Sequence, residues 1–203
     1  MLRISHPICP VCGRPSDAAG PNEPVCGSCS EVAPRFSRAR AAFIYCGAAV
    51  RLVLRLKYGR CSDEAAPLGR IMAATASIEG LADADVLVPV PITMRRFVMR
   101  GYNQAAQLGK AAAALLDKPL ATRTLVRIAD PGPQKHCSRA ERHFRVQGCF
   151  AVSKDSGIQG KKVLLVDDVI TTGATASECA RVLRAAGAAR VDVIACARAV
   201  EGM

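Results

Sequence analysis

Two adjacent acids at the end of an apolar run, followed at once by hydroxyls and a glycine, are the residues best equipped for chemistry. The stretch reads Lys161-Lys162-Val163-Leu164-Leu165-Val166-Asp167-Asp168-Val169-Ile170-Thr171-Thr172-Gly173-Ala174-Thr175. Thr171, Thr172, Gly173, Ala174 and Thr175 offer backbone N–H groups and hydroxyls just before a helical pattern from Ala176 to Ala186. A helix N-terminus with unpaired donors favours an anion such as a monophosphate. Gly173 lets backbone approach closely. Asp167 and Asp168 would repel a phosphate directly, so they are suited to accept sugar hydroxyls or to engage a divalent cation through water. A sugar phosphate with further phosphates and Mg²⁺ satisfies every group at once. Thr175 and Glu178 also match a helix capping box, which accounts for part of the pattern but not for the two acids upstream.

A parallel sheet has to position these residues. Val163 to Val166 is a continuous apolar run of the kind found in a strand buried on both faces, and open α/β sheets take ligands beyond the carboxyl ends of such strands. The acids are expected in the turn that follows. Upstream, Ala41 to Cys46 reads as a strand, Ala48 to Tyr58 as a helix, and Ala65 to Ser77 as a second helix. In the first helix Lys57 precedes Gly59, where it suits the helix dipole. Asp85 to Pro91 reads as a strand that Pro89 and Pro91 must end. A loop from Ile92 to Gly101 follows with Arg95, Arg96 and Arg100, whose guanidinium forks match phosphate oxygens. If the two strands are parallel, these arginines converge on Asp167 and Thr171. Tyr102 to Leu116 reads as a helix, Leu120 to Ile128 and Cys149 to Val152 as strands, and Val191 to Cys196 as the strand closing the sheet. Residues 130–148 form a long, basic, turn-rich stretch of the kind used as an active-site lid. His136 and Cys137 within it lack the spacing of a nucleophile pair.

Cys9-Pro10-Val11-Cys12 and Cys26-Gly27-Ser28-Cys29 are two CxxC knuckles separated by 13 residues. Each pair chelates from one tight turn, and Cys9, Cys12, Cys26 and Cys29 together suit tetrahedral zinc. Four thiolates leave no open position, so this zinc is structural; scattered buried cysteines are the plainer alternative. His6 is a conceivable substitute ligand but reads more simply as a loop histidine.

A length of 203 residues, 50% of them hydrophobic, provides one ordinary domain with a real core and a small appendage. A net charge of +11 calls for an anionic partner, nucleic acid or small polyphosphate alike. With no Trp, 5 Phe and 3 Tyr, the chain has few parts for a base-stacking platform. No apolar run is long enough to span a membrane, and the stretch before Cys9 has no room for a signal-peptide core, so no membrane insertion and a cytoplasmic location are expected. There the ten cysteines read as thiols or metal ligands. A nucleotide hydrolase of the Walker type would need a Gly-x4-Gly-Lys-[Ser/Thr] loop, which is absent.

Val163 to Thr175 resembles the phosphoribosyl pyrophosphate signature of type I phosphoribosyltransferases. The order of CxxC knuckles, Leu56-Lys57-Tyr58, Val88-Pro89-Val90-Pro91, Arg100-Gly101-Tyr102-Asn103-Gln104 and the acid loop is similar to that of the ComF family, associated with competence and DNA uptake. The resemblance covers nearly the whole chain. It implies a zinc ribbon over residues 1–36 and a phosphoribosyltransferase-like α/β domain over 41–203, a central parallel sheet with flanking helices and a hood at 130–148. By the same resemblance Asp167 and Asp168 are the catalytic acids on the ribose hydroxyls, and Thr171 to Thr175 take the 5′-phosphate. The loop with Arg95, Arg96 and Arg100 takes the pyrophosphate. The implied activity is transfer of a phosphoribosyl group with Mg²⁺. The alternative is a non-catalytic adaptor docking a DNA-uptake helicase or single-stranded DNA. Gln134-Lys135-His136-Cys137 and His143-Phe144-Arg145 depart from the usual hood sequences, and the phosphate-binding loops do not.

Overall fold

Apolar strands with no polar face have to be covered on both sides, and four of them set the architecture of this chain. In the computed structural model, which describes residues 1–16, 24–59, 63–130 and 144–200, they are β1 (Ala39–Ile44), β2 (Val86–Pro89), β5 (Lys162–Ile170) and β6 (Arg190–Arg198). They form one parallel sheet in the order β1-β6-β5-β2. One face, with Leu87, Leu164, Val166 and Ile194, is covered by α2 (Gly47–Tyr58), α3 (Ala65–Ile78) and α5 (Gln104–Leu116), which contribute Leu56, Met72 and Leu108. The other, with Val88, Val163, Leu165 and Val193, is covered by α6 (Ala174–Ala185), by the antiparallel pair β3 (Leu125–Arg127) and β4 (Phe150–Val152), and by the cysteines near the N-terminus, of which Cys29 lies on the short helix α1 (Gly27–Glu31).

Several expectations need correction. β5 runs through the acids to Ile170, because Asp167 and Val169 still pair with Ala195 and Ala197 of β6. The strand expected to close the sheet lies inside it, between β1 and β5. The strand expected over Leu120 to Ile128 is broken: Leu120 makes one parallel bridge to Leu87, and Leu125–Arg127 pairs with β4 away from the main sheet. The arginine segment is a helix, α4 (Met94–Arg100), started by Thr93, whose hydroxyl accepts from Arg96 N at 3.3 Å, and ended by Gly101 at φ +82. The capping box does not form. The N-cap of α6 is Gly173 without a side-chain cap, and Glu178 instead accepts from Gly148 N and pairs with Arg181, both at 2.8 Å.

Two of the helices over the first face, α3 and α5, approach closely enough for backbone to meet backbone. A Cβ on Gly69 of α3 would lie 2.4 Å from Leu108 O and 2.7 Å from Ala111 Cβ of α5. Gly→Ala inside a helix ordinarily gains about 1 kcal/mol of propensity. Here the sign is expected to reverse: Gly69→Ala should cost about 1–3 kcal/mol by overpacking, read as a lower urea midpoint. Unchanged or increased stability would show that α3 and α5 can move apart freely. Among the described residues, no helix is long and apolar enough to cross a membrane.

Candidate functional site

Successive residues of a strand face opposite sides, so Asp167 and Asp168 straddle the end of the sheet. Asp168 turns toward α2, where Lys57 Nζ stands 3.2 Å from its Oδ2. Asp167 turns toward α6 and β3, and its Oδ1 accepts from Asp168 N at 2.8 Å. Burial, reinforced by the charge of Asp168 and opposed by Lys57 and Arg127, pushes the Asp167 carboxyl up to about 7. Both acids nevertheless line a cleft of about 370 Å³ that is open to solvent, the placement that ligand chemistry requires.

The remaining walls are basic. Arg96, Met99 and Arg100 reach the cleft from α4, Lys57 and Tyr58 from α2, Gln104 from α5, Arg127 from β3 and Thr175 from α6. Arg100 lies over the Tyr58 ring at 5.1 Å and donates to Gln104 Oε1 at 3.1 Å. Arg100 Nε and Gln104 Nε2 are buried without acceptors. Asn103 fixes this corner, donating to Val90 O at 3.0 Å and capping α5 by accepting from Ala105 N at 3.0 Å. Arg127, stacked 5.3 Å over Phe150, lies close enough to the acids to pull the Asp167 carboxyl down.

Of the arginines expected to converge, Arg96 and Arg100 do so and Arg95 does not. Arg96 and Arg100 are four apart on a helix and share a face, from which Arg95 is rotated away. Within the hydroxyl loop, Thr175 lines the cleft and Thr171 is exposed, while Thr172 is buried with its Oγ1 accepting from Ala174 N at 3.3 Å. Gly173, at φ +81, turns the chain into α6 as its N-cap residue, with no side chain of its own to cap the helix, and Thr172 Oγ1 takes the N–H of Ala174. Lys57, Tyr58, Gln104 and Arg127 are site residues that sequence reasoning did not place there. Residues 131–143, with His136 and Cys137, lie outside the described residues. A larger groove of about 770 Å³ between α3 and α5, beside Arg70, Lys110 and Leu115, gathers no paired acids and is no rival for this chemistry.

At the N-terminus the sulfurs of Cys9, Cys12, Cys26 and Cys29 all lie within 4.8 Å of one another, and Cys12 and Cys26 are 3.6 Å apart. Zinc bonded to sulfur at about 2.3 Å in a tetrahedron sets its thiolates about 3.8 Å apart, so the four residues fit the ion. Their acid–base state points the same way. Burial raises the Cys12 and Cys29 thiols. It also works to raise Cys9, where N–H groups of Cys12, Cys26 and Val11 prevail and bring that thiol down to about 7. Thiolates crowded this closely are stable together only around a cation. Beside them Arg198 is 2% exposed, with Nε and Nη1 unpartnered. Burial lowers its guanidinium, opposed by Cys12, and it stands as the counter-charge of the thiolates. His6 instead meets Glu79 Oε1 at 3.0 Å.

The cysteine unit is built onto the sheet. Residues 2–4 run antiparallel along the free edge of β1, with Ile44 N donating to Leu2 O at 2.9 Å, and Ala39 N donates to Val11 O at 2.7 Å. Its connector backs the hydroxyl loop: Arg35 N donates to Ser177 Oγ at 3.0 Å, and Phe36 lies 3.7 Å from where a Cβ of Gly173 would be.

The DNA utilization protein YhgH of Salmonella typhimurium is 34% identical over 190 residues, 92% of this chain and 82% of that protein. Competence protein ComFC of Bacillus subtilis is 28% identical over 195 residues, covering 93% and 76% of the two chains. The chain belongs to the ComF family. A further relative, competence protein F of Haemophilus influenzae, is 36% identical over 117 residues, 57% of this chain and 51% of its own. Residues 102–202 match the phosphoribosyl transferase domain model, the part of this ComF-family chain that carries α5, β5, α6 and β6. Among solved structures, the glutamine phosphoribosylpyrophosphate amidotransferase of Bacillus subtilis complexed with ADP and GMP aligns at a TM-score of 0.47 and 23% identity, over 70% of this chain and 30% of its own.

Proposed function

We propose that this ComF-family chain binds phosphoribosyl pyrophosphate with Mg²⁺ and transfers the phosphoribosyl group to an acceptor. The observation that carries the reading is one cleft holding an acid couple, Thr175 of the glycine-started helix α6 and two buried donors, Arg100 Nε and Gln104 Nε2, that lack acceptors. A buried donor left unpaired costs about 1–3 kcal/mol, and diphosphate oxygens would satisfy both. In this reading Asp167 and Asp168 accept the ribose hydroxyls, the first turn of α6 with Thr175 holds the 5′-phosphate, and Arg96 and Arg100 hold the diphosphate. As the bond from C1 to the diphosphate oxygen breaks, positive charge grows on the ribose beside Asp167 and Asp168 while the arginines take up the leaving charge. Catalysis is positioning and electrostatics, with no covalent residue. The acid couple does not fit a resident metal, because Lys57 already neutralises Asp168. Mg²⁺ therefore enters as part of the substrate complex, neutralising the diphosphate.

The ribbon of residues 1–36 would fold around zinc on the domain of residues 41–203, in the cytoplasm. Titration with the magnesium complex of phosphoribosyl pyrophosphate, followed by calorimetry and ³¹P NMR, is expected to show saturable binding. Arg100→Ala should weaken it about 10- to 100-fold. Absence of both binding and consumption would sink the proposal.

A second reading, a non-catalytic adaptor for a DNA-uptake helicase or single-stranded DNA, is favoured by the outer side of α4. There Arg95 stands away from the cleft, and Met94 and Val98 are exposed. It requires single-strand binding that falls steeply with salt. Retention unchanged between low and high salt would remove it.

A further inference from the structure

We propose that Lys57 is a built-in counter-cation of the acid couple: paired to Asp168, it closes the couple to divalent metal and so reserves both carboxylates for hydroxyl donors. The inference rests on the phosphoribosyl reading only for the identity of those hydroxyls.

The ion pair is held by its surroundings. Lys57 sits in the last turn of α2, one residue after fully buried Leu56. Tyr102 Oη donates to Leu56 O at 2.7 Å, Gly59 N closes on Arg55 O at 2.7 Å, and Arg100 rests on the Tyr58 ring. Three contacts thus fix the end of α2 at the strand end, and the ammonium meets Asp168 Oδ2 at 3.2 Å with the two side chains 24% and 13% exposed. A lysine present only to suit the helix dipole would extend along the helix axis into water.

A divalent cation needs several oxygen ligands and an excess of negative charge. At this strand end the second carboxylate is shielded and proton-binding, the first is matched by Lys57, and Arg96, Arg100 and Arg127 face the same cleft. No net negative charge remains to attract a free metal ion, and the field of the arginines repels one. A cation enters only when its own charge is already covered by a polyphosphate. Lys57 is therefore a positioning residue, acting through Asp168.

The probe is Mn²⁺ alone, titrated into the zinc-loaded full-length protein without ligand and followed by electron paramagnetic resonance of the free ion. The wild-type chain is expected to bind no Mn²⁺ at the acids. Lys57→Met should create a site at least tenfold tighter, which adding Asp168→Asn abolishes, while Lys57→Arg should stay closed. The inference is overturned if the wild-type chain binds Mn²⁺ in an Asp168-dependent manner, or if folded Lys57→Met, with its zinc retained, binds none. Should Lys57→Met fail to fold, Lys57→Gln is read in its place. Failure of the wild-type chain to bind the magnesium complex of phosphoribosyl pyrophosphate would sink the functional reading and leave the Mn²⁺ outcome standing, so the two failures are distinct.

Discussion

Asp167→Asn is expected to raise the melting temperature of the ligand-free protein at pH 8 while weakening its binding of phosphoribosyl pyrophosphate about 10- to 100-fold. The carboxyl titrates at about 7 in place of its ordinary 3.8, because burial and then the neighbouring charge of Asp168 oppose its ionisation. Its folded-state value lies above the unfolded one. The stability it contributes is therefore complete below about 3.8 and is lost as the pH rises through about 7. At pH 8, with solvent screening through the open cleft, ionised Asp167 costs the fold on the order of 2 kcal/mol. For a chain of this size that corresponds to about 4–8 °C. Asparagine removes the charge and keeps an oxygen for the N–H of Asp168. The melting temperatures of the two proteins should therefore coincide near and below pH 3.8, separate progressively as the pH rises to about 7, and keep a constant gap above it. A variant less stable than wild type at every pH would make Asp167 a structural acid and remove it from the ligand site.

The limits of legibility in the sequence follow the same physics. Asp167, Asp168, the hydroxyl loop and both CxxC knuckles are contiguous, so each announces its chemistry locally. Lys57 and Gln104 act on a strand end 110 and 63 positions away from Asp167 respectively. Only the parallel pairing of β2 with β5, and the docking of α2 and α5 on the same face, bring them there. The prolines of Pro89-Val90-Pro91 made the following segment read as a loop, yet Thr93 and Gly101 are a helix start and stop signal that could have been taken at face value. Read as a helix, the segment separates Arg95 from Arg96 and Arg100 by periodicity alone. Three-residue strands such as β3 and β4 carry too little pattern to reveal which sheet they join.

Cys29→Ser, or removal of zinc by a chelator, is expected to produce the largest loss of stability of any single change, and to weaken ligand binding although no cysteine of the cluster lines the cleft. Structural zinc contributes an apparent ~10–16 kcal/mol at neutral pH, comparable with the whole ~5–15 kcal/mol that keeps an ordinary domain folded. Cys9, Cys12 and Cys29 share one buried cluster with Leu165 and Val193 of the sheet, so the loss is not confined to an appendage. Without the thiolates, buried Arg198, whose Nε and Nη1 already lack hydrogen-bond partners, loses its counter-charge, and the edge of β1 loses the cover of residues 2–4. The disturbance reaches the hydroxyl loop through Arg35 N on Ser177 Oγ and Phe36 behind Gly173. Zinc content, thermal melting, hydrogen exchange over residues 36–44 and titration with the magnesium complex of phosphoribosyl pyrophosphate test this together. The expected result is a melting temperature lowered by more than about 10 °C, consistent with loss of several kcal/mol, with faster exchange in β1 and a ligand affinity that falls with zinc content. If the zinc-free protein instead keeps wild-type exchange in β1 and wild-type affinity, the ribbon is an independent module and the phosphate loop needs no support from it.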